Sequence, residues 1–388
     1  MKKGSLKSFF TFLLFIIVIC NSVGVKTVYT VQSEESSEIP DEVLSYAERI
    51  YQDLAMSVDR SEELYDVSLG TVEHLELGKP FVIYDVNRKD TSSNIYYFPV
   101  IENETIVLEL AVYPINGSYC ASMSKGMADQ LEKADYLNND EMIFYYTRDA
   151  IFCETESDIH RMVRNDNPLT DIKEEELQNY NVFQELSYDE KKNIIDNEKK
   201  EIKTVQKTIE QWGEEKETAN GFSQKDTYGV KLNMNNCTVS QYNYNTCWAA
   251  SVATAVRYIT GNRTVTATAV CDKMGIDYMT GGSISEKQTA LRLYGINYTK
   301  LVYKQLSFDE VKVNITQQSP ILISAFGNAT GGGHSLTITG YTTYGAVKQI
   351  QVWNSATGEY QTTVYNESGS GFPMNGQSYI WKYSLSSK

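Results

Sequence analysis

Histidine, proline and cysteine are scarce in this 388-residue chain, which has three, seven and six of them. Three histidines with no close Cys/His pairs argue against a structural zinc site. Long apolar runs are missing too, which excludes a multi-span membrane protein. No dense Lys/Arg patch is present, so the chain lacks the footprint of a nucleic-acid binder. There is no internal repeat, and the 28 tyrosines point to no function by themselves. At 41% hydrophobic and 22% charged residues, the chain is neither disordered nor fibrous, and its length is enough for two domains.

The net charge of −15 is unevenly spread. From Gly221 onward there are 13 basic and 8 acidic residues, a net of +5, whereas Met1 to Asn220 has 22 basic and 42 acidic residues, a net of −20. Either the acidic front half complements a mildly basic back half, or acidic surface keeps the front half soluble.

The chain opens like a secretory signal. Lys2, Lys3 and Lys7 precede an apolar run from Phe9 to Cys20, and Ser22 and Gly24 suit a cut after Gly24. Cys20 follows bulky Ile19, a poor match to a lipoprotein site, so export without a stable membrane anchor is expected. From Asp41, a helix capped by that residue places Val43, Ala47, Ile50, Tyr51 and Leu54 on one face. Strands are expected over Phe81–Tyr84, Ile95–Ile101, Thr105–Tyr113 and Met142–Thr147, with a short helix over Ser122–Lys133. Ser157–Tyr188 is polar and low in aliphatic residues. A long charged helix is expected from Asp189 to Glu215, with Ile194, Ile202, Val205, Ile209 and Trp212 along one stripe. The segment ending at Gly221 reads as a linker, so the expected division is a signal over 1–24, an acidic unit over 25–220 and a second unit over 221–388.

In the second unit, Thr246 can cap a helix ended by Gly261, and further helices are expected over Ser285–Tyr294 and from Ser307, where Ser307 and Glu310 match a capping box. Strands follow over Ile321–Phe326, Ser335–Tyr341, Lys348–Trp353, Gln361–Tyr365 and Tyr379–Tyr383. Helices first and strands afterwards make an α+β arrangement with room for a cleft between the layers.

Five cysteines follow the leader: Cys120, Cys153, Cys237, Cys247 and Cys271. Pairing Cys120 with Cys153 and Cys237 with Cys271 would leave Cys247 unpaired; the alternative is that none pair and most are small buried residues. Cys247 sits at the first turn of the best-defined helix, where free N–H groups and the helix dipole stabilise a thiolate. His334, the sole histidine after the linker, follows Gly331-Gly332-Gly333 and begins an apolar strand. Trp353-Asn354-Ser355 ends another strand. If the two strands are neighbours, Asn354 accepts the Nδ1 proton of His334, holds the ring towards Cys247, and Trp353 shields the bond. Gln241, six residues before Cys247, can join the Cys247 backbone N–H in an oxyanion hole.

The segment from Gln241 to Cys247-Trp248-Ala249-Ala250 resembles the papain-type glutamine and Cys-Trp segment, with the same six-residue step. Gly-Gly-Gly-His334-Ser335 and Trp353-Asn354-Ser355 resemble that superfamily's histidine and asparagine segments. The compact second unit, the 87-residue Cys-to-His separation, the signal and the long front half are similar to the secreted bacterial cysteine proteases of the staphopain family. Asn245-Thr246 replaces the usual Gly-Ser before the nucleophile, which leaves the oxyanion loop in question. The resemblance implies a compact papain-like catalytic domain behind a mainly antiparallel-β prodomain with flanking helices. It further implies Cys247 as nucleophile, His334 as base and acid, Asn354 as orienter and Gln241 as oxyanion donor, with no cofactor or metal. The expected protein is a secreted, monomeric endopeptidase zymogen acting on proteins or peptides and inhibited by its own propeptide. A cell-wall amidase or transpeptidase using the same Cys-His pair is one alternative, and a non-catalytic surface-binding protein is the other.

Overall fold

A computed structural model describes residues 39–87, 95–139, 141–147, 150–164, 174–196, 227–241, 245–327, 332–374 and 376–388. The expected leader, the greater part of the expected long charged helix and the expected linker fall outside the described residues. From Ile39 to Lys388 the chain forms one compact unit.

Helix α1 (Asp41–Asp59) starts where the sequence places it, but Pro40 rather than Asp41 is its N-cap, and Asp41 is the first helical residue. Its apolar stripe holds: Val43, Ala47, Ile50 and Leu54 are buried, and half-buried Tyr51 donates to the Leu75 carbonyl at 3.1 Å. A short α2 (Glu62–Tyr65) follows. Beyond them run β1 (Glu76–Leu77), β2 (Tyr84–Asp85), β3 (Tyr96–Glu102), β4 (Thr105–Ile115), β5 (Ser118–Ser124), α3 (Ala128–Lys133), β6 (Ile143–Tyr146), β7 (Ala150–Glu154), β8 (Ile159–Arg164), α4 (Glu174–Glu185) and α5 (residues 188–196).

Two departures from the sequence expectation matter. Ser118–Ser124 is a strand, and the helix placed over Ser122–Lys133 begins only at Ala128, because this small-residue segment is flanked by sheet partners on both sides. The polar stretch after Ser157 contains both a strand and a helix. On α5, Ile195 and Lys191 are buried, with Lys191 paired to Glu154 at 2.9 Å.

The back half comprises β9 (Thr227–Lys231), α6 (Cys247–Thr260), α7 (Ala267–Met274), α8 (Ile284–Leu293), β10 (Lys300–Val302), α9 (Phe308–Thr316), β11 (Ile321–Gly327), β12 (Gly333–Tyr344), β13 (Val347–Asn354), β14 (Glu359–Val364), β15 (Gly371–Met374) and β16 (Gln377–Ser386). Gly261 ends α6 at φ 73°, a left-handed conformation that costs glycine little. Ser307 and Glu310 form the expected capping box on α9, and Ser283 with Glu286 forms another on α8. The fold class is α+β.

The two halves share one sheet of twelve strands, whose main path is β1-β3-β4-β5-β14-β13-β12-β11-β16-β10. The join is β5 against β14, with Ser122 opposite Thr363 and Met123 opposite Thr362. A four-stranded sheet, β2-β6-β7-β8, lies in the front half. One core runs across the join, from Val43, Leu54 and Leu108 to Ile338, Ile350 and Val352. A separate core packs α6, α7 and α8 on Leu322 and Leu385. Polar side chains also cross the join: Ser57 donates to Gln349 Oε1 at 2.5 Å, Gln349 Nε2 donates to the Asp53 carbonyl at 2.8 Å, and Tyr113 Oη donates to the Gly371 carbonyl at 2.7 Å.

Candidate active site

Cys247 is the first residue of α6, at the edge of a face filled by Trp248, Ala249, Ala250 and Val252. Thr246 occupies the N-cap position but does not cap with its side chain. Its Oγ1 instead donates to the Gln241 carbonyl at 3.1 Å. No N-cap side chain therefore takes up the first-turn N–H groups, and those of Cys247 and Trp248 turn towards the thiol. Trp248 is wholly buried, donates through Nε1 to the Thr280 carbonyl at 3.3 Å, and packs where a Cβ on Gly282 would come within 2.3 Å of its ring.

β12 and β13 are antiparallel neighbours, with Leu336 opposite Asn354. Cross-strand partners share a sheet face, as do residues two apart, so His334 and Asn354 emerge on the same side. They are bonded, but through His334 Nε2 and Asn354 Oδ1 at 2.9 Å, not through Nδ1 as the sequence reading had it. The backbone N–H of Ala356 donates to the same Oδ1 at 3.0 Å. That atom is therefore the amide oxygen, Nε2 must carry the ring proton, and Nδ1 keeps its lone pair. Both residues are buried. The N–H of Ser335, next to His334, reaches the Cys247 thiol, which sets the histidine strand against the start of α6.

Gln241 is buried, and two elements fasten its segment. Its N–H donates to the Ser355 carbonyl at 3.0 Å, and its Oε1 accepts from Ser355 Oγ at 3.2 Å, so Nε2 is the amide's donor end. Two residues earlier, the Val239 carbonyl accepts from Trp353 Nε1 at 3.0 Å, and the Val239 N–H donates to Thr254 Oγ1 of α6 at 3.1 Å. Trp353 thus braces the Gln241 segment beside Asn354. The structure brings the Gln241 segment, Cys247, His334 and Asn354 to one end of the α6–β12–β13 junction.

Burial dominates the electrostatics. It pushes the Cys247 thiol up from its ordinary value, against the Lys287 ammonium and the N–H groups of Ser335, Trp248 and Cys247 itself, which pull it down. Burial likewise lowers His334 to about 4, with the Asn354 hydrogen bond opposing and Lys287 adding to the fall. Burial therefore disfavours charge on both the thiol and the imidazole.

Three nearby residues escaped the sequence reading. Lys287 is fully buried on α8. It falls in the stripe with Ile284, Ala290 and Leu291, and a lysine three residues after Ile284 in that spacing was the available signal. Tyr379 of β16 lies with its ring 6.2 Å from that of His334. Asp85, on β2 of the front half, accepts from Gln377 Nε2 at 3.4 Å and bears electrostatically on Tyr379, as Cys247 does. No sequence signal marks Asp85, because its position comes from the packing of two halves nearly 300 residues apart.

The suggested disulfides are absent: all five cysteines after the leader are free thiols. Cys237 belongs to the core that crosses the join and Cys271 to the core under α6, so the two lie in different layers. Cys120 points to the Val364 carbonyl at 3.4 Å and Cys153 to Met142 Sδ at 3.3 Å.

Residues 27–179 match the staphopain proregion family, and residues 232–373 match the Peptidase_C39-like family. No curated protein matches the chain.

Proposed function

Starting from a chain that is a papain-like cysteine peptidase made with a staphopain-like proregion, we propose a secreted endopeptidase zymogen whose nucleophile is Cys247. The reading rests above all on the doubly anchored Asn354 oxygen, which fixes His334 in the tautomer with a basic Nδ1. His334 Nδ1 takes the thiol proton, and the thiolate attacks the scissile carbonyl. The Cys247 N–H and Gln241 Nε2 then bind the oxyanion, each such donor being worth about 3 kcal/mol in the transition state. Protonated His334 gives its proton to the leaving amine, leaving a thioester on Cys247. Water, deprotonated by His334, then releases the acid and restores the thiol.

The proregion acts as an intramolecular inhibitor. Asp85 and its neighbours sit against Gln377 and Tyr379, beside His334, where they keep water and substrate from the Cys247–His334 pair. When the front half leaves, rehydration favours charge separation between thiol and imidazole. The mature unit begins near Gly221, activation cuts between Trp212 and Thr227, and residues 1–24 are the exported leader. Among the described residues no helix is long and apolar enough to cross a membrane. Membership of a peptidase family sets aside the non-catalytic alternative and weighs against a wall amidase.

The test incubates the leader-free chain with reductant and a peptidyl-epoxide thiol probe, beside Cys247→Ala. Shortening to a fragment that starts near Gly221, with the label on Cys247, is the expected result. A wild-type chain that stays unlabelled after limited trypsin has removed the front half would overturn the reading.

A further inference from the structure

Lys287 occupies a position that an amphipathic helix normally gives to an aliphatic residue. It is 0% exposed, in a stripe with Ile284, Ala290 and Leu291. Its Nζ donates to the Ile323 carbonyl at 2.8 Å and to Ser324 Oγ at 2.8 Å, both on β11. Across the β11–β12 ladder, Ser324 faces Ser335 and Ala325 faces His334. Ser335 Oγ donates to the same Ile323 carbonyl at 3.1 Å, and Ser335 N–H reaches the Cys247 thiol. The ammonium is therefore tied to β11, the strand paired with the one that carries His334, and lies within electrostatic reach of both Cys247 and His334.

No carboxylate pairs with Lys287 among the described residues, and its two hydrogen-bond partners are neutral oxygens. Removing an ammonium from water without a counter-charge costs several kcal/mol, and a methionine would fill the same space without that cost. A tether between α8 and β11 alone does not account for choosing a charge. The titratable groups facing it are few. Cys247 of α6 is the one whose charge it senses, His334 of β12 senses it in turn, and Tyr379 of β16 faces the thiol.

Building on the reading of Cys247 as nucleophile, we propose that Lys287 is a positioning residue that serves as the buried counter-cation of the Cys247 thiolate. Its charge acts on both partners in one direction. It favours the anion on sulfur and disfavours a lasting cation on His334, so the imidazolium readily gives its proton on. The thiol proton passes to His334 Nδ1, which delivers it to the leaving amine. Burial brings Lys287 down to about 7 and the thiolate pulls it back up, so each group's charge supports the other's.

The experiment measures the rate of Cys247 alkylation by iodoacetamide between pH 5 and 10 in the leader-free full chain, wild type against Lys287→Met, with peptide mapping to isolate Cys247. The thiolate midpoint is expected to rise by about one pH unit in Lys287→Met, with alkylation at pH 6.5 slowed about tenfold. Should that variant fail to fold, lysine-selective ¹³Cε NMR of Cys247→Ser against wild type decides the matter. By reciprocity of coupled equilibria, the Lys287 midpoint must then fall by the same amount. An unmoved thiolate midpoint, or an unmoved Lys287 midpoint in Cys247→Ser, reduces Lys287 to a tether and overturns the proposal. If wild-type Cys247 reacts no faster than buried Cys271 even after limited trypsin has removed the front half, the nucleophile reading itself falls and takes this proposal with it.

Discussion

Lys287, within electrostatic reach of Cys247 and His334, and the carboxyls of Glu109 and Glu359, at the β5–β14 join, are charged groups withdrawn from water. Burial shifts them in opposite directions, Lys287 down to about 7, Glu109 up to about 8 and Glu359 up to about 7. Their surroundings differ in ownership. Every partner of Lys287 named above belongs to the back half, so its environment outlasts removal of the proregion. The carboxyls come one from each half. Glu109 of β4 accepts from the Met127 N–H at 3.3 Å, and Glu359 of β14 accepts from the Gly126 N–H. Both line a cavity of about 70 Å³ with Tyr97, Ser124 and Gln361, and Lys125 and Asp129 bear on Glu359. A shift that exists within one half tunes chemistry, whereas a shift that exists only while two halves touch is linked to their association.

The comparison breaks hardest at the site itself. Cys247→Ala or His334→Ala should cut peptide hydrolysis by about a thousandfold or more while leaving the join intact, as read by rates on a quenched peptide and by the melting temperature of the full chain. Loss of folding in either variant would mean that these residues hold the halves together. Asn354→Ala should lower kcat about tenfold to a hundredfold with little change in KM, since it frees the ring rather than the substrate. Unchanged turnover would remove Asn354 from the mechanism.

At the join the lever is pH. Both carboxyls have pKa values raised above their ordinary 4.5 in the assembled chain, so protonation stabilises assembly. That contribution is fully present below about 4.5 and is lost as pH rises through 7 and 8. In Cys247→Ala, the melting temperature should fall by about 3–6 °C between pH 5.5 and 8.5, and Glu109→Gln with Glu359→Gln should flatten the slope. A slope that survives both substitutions would move the linkage elsewhere. The smallest effect is expected at Asp85. Asp85→Ala removes one contact with Gln377 and should speed self-processing about twofold to fivefold. Processing at the wild-type rate would show that this contact does not restrain the site.

Much of the back half was legible because its signals are local. The α6 stop at Gly261, the Ser307–Glu310 box and the five strands expected after Pro320 appear within two or three residues of where patterning places them, whereas the short β15 was not expected. Gln241, Cys247, His334 and Asn354 could be singled out as candidates because His334 is the sole histidine after Gly221, which left few combinations to weigh. The front half was harder. Ser118–Ser124 consists mostly of small residues, and its strand character comes from β4 on one side and β14 on the other. The expected disulfides failed because sequence spacing does not show how thiols are placed: Cys237 and Cys271 lie in different cores, and Cys120 and Cys153 share one but turn to different partners.

The sequence alone determined which residue types are present and in what local frame: a cysteine at a helix start, a histidine opening a strand, an asparagine closing another and an acidic half ahead of a basic one. Hydrogen-bond periodicity and capping chemistry act over a few residues, so such features can be read from the chain. Tertiary structure alone decided that His334 uses Nε2 towards Asn354, that Lys287 is buried against β11, and that Glu109 and Glu359 face one cavity. Each of these depends on register and desolvation between segments distant in the chain, and burial, which sets the charge states, exists only once those segments are packed.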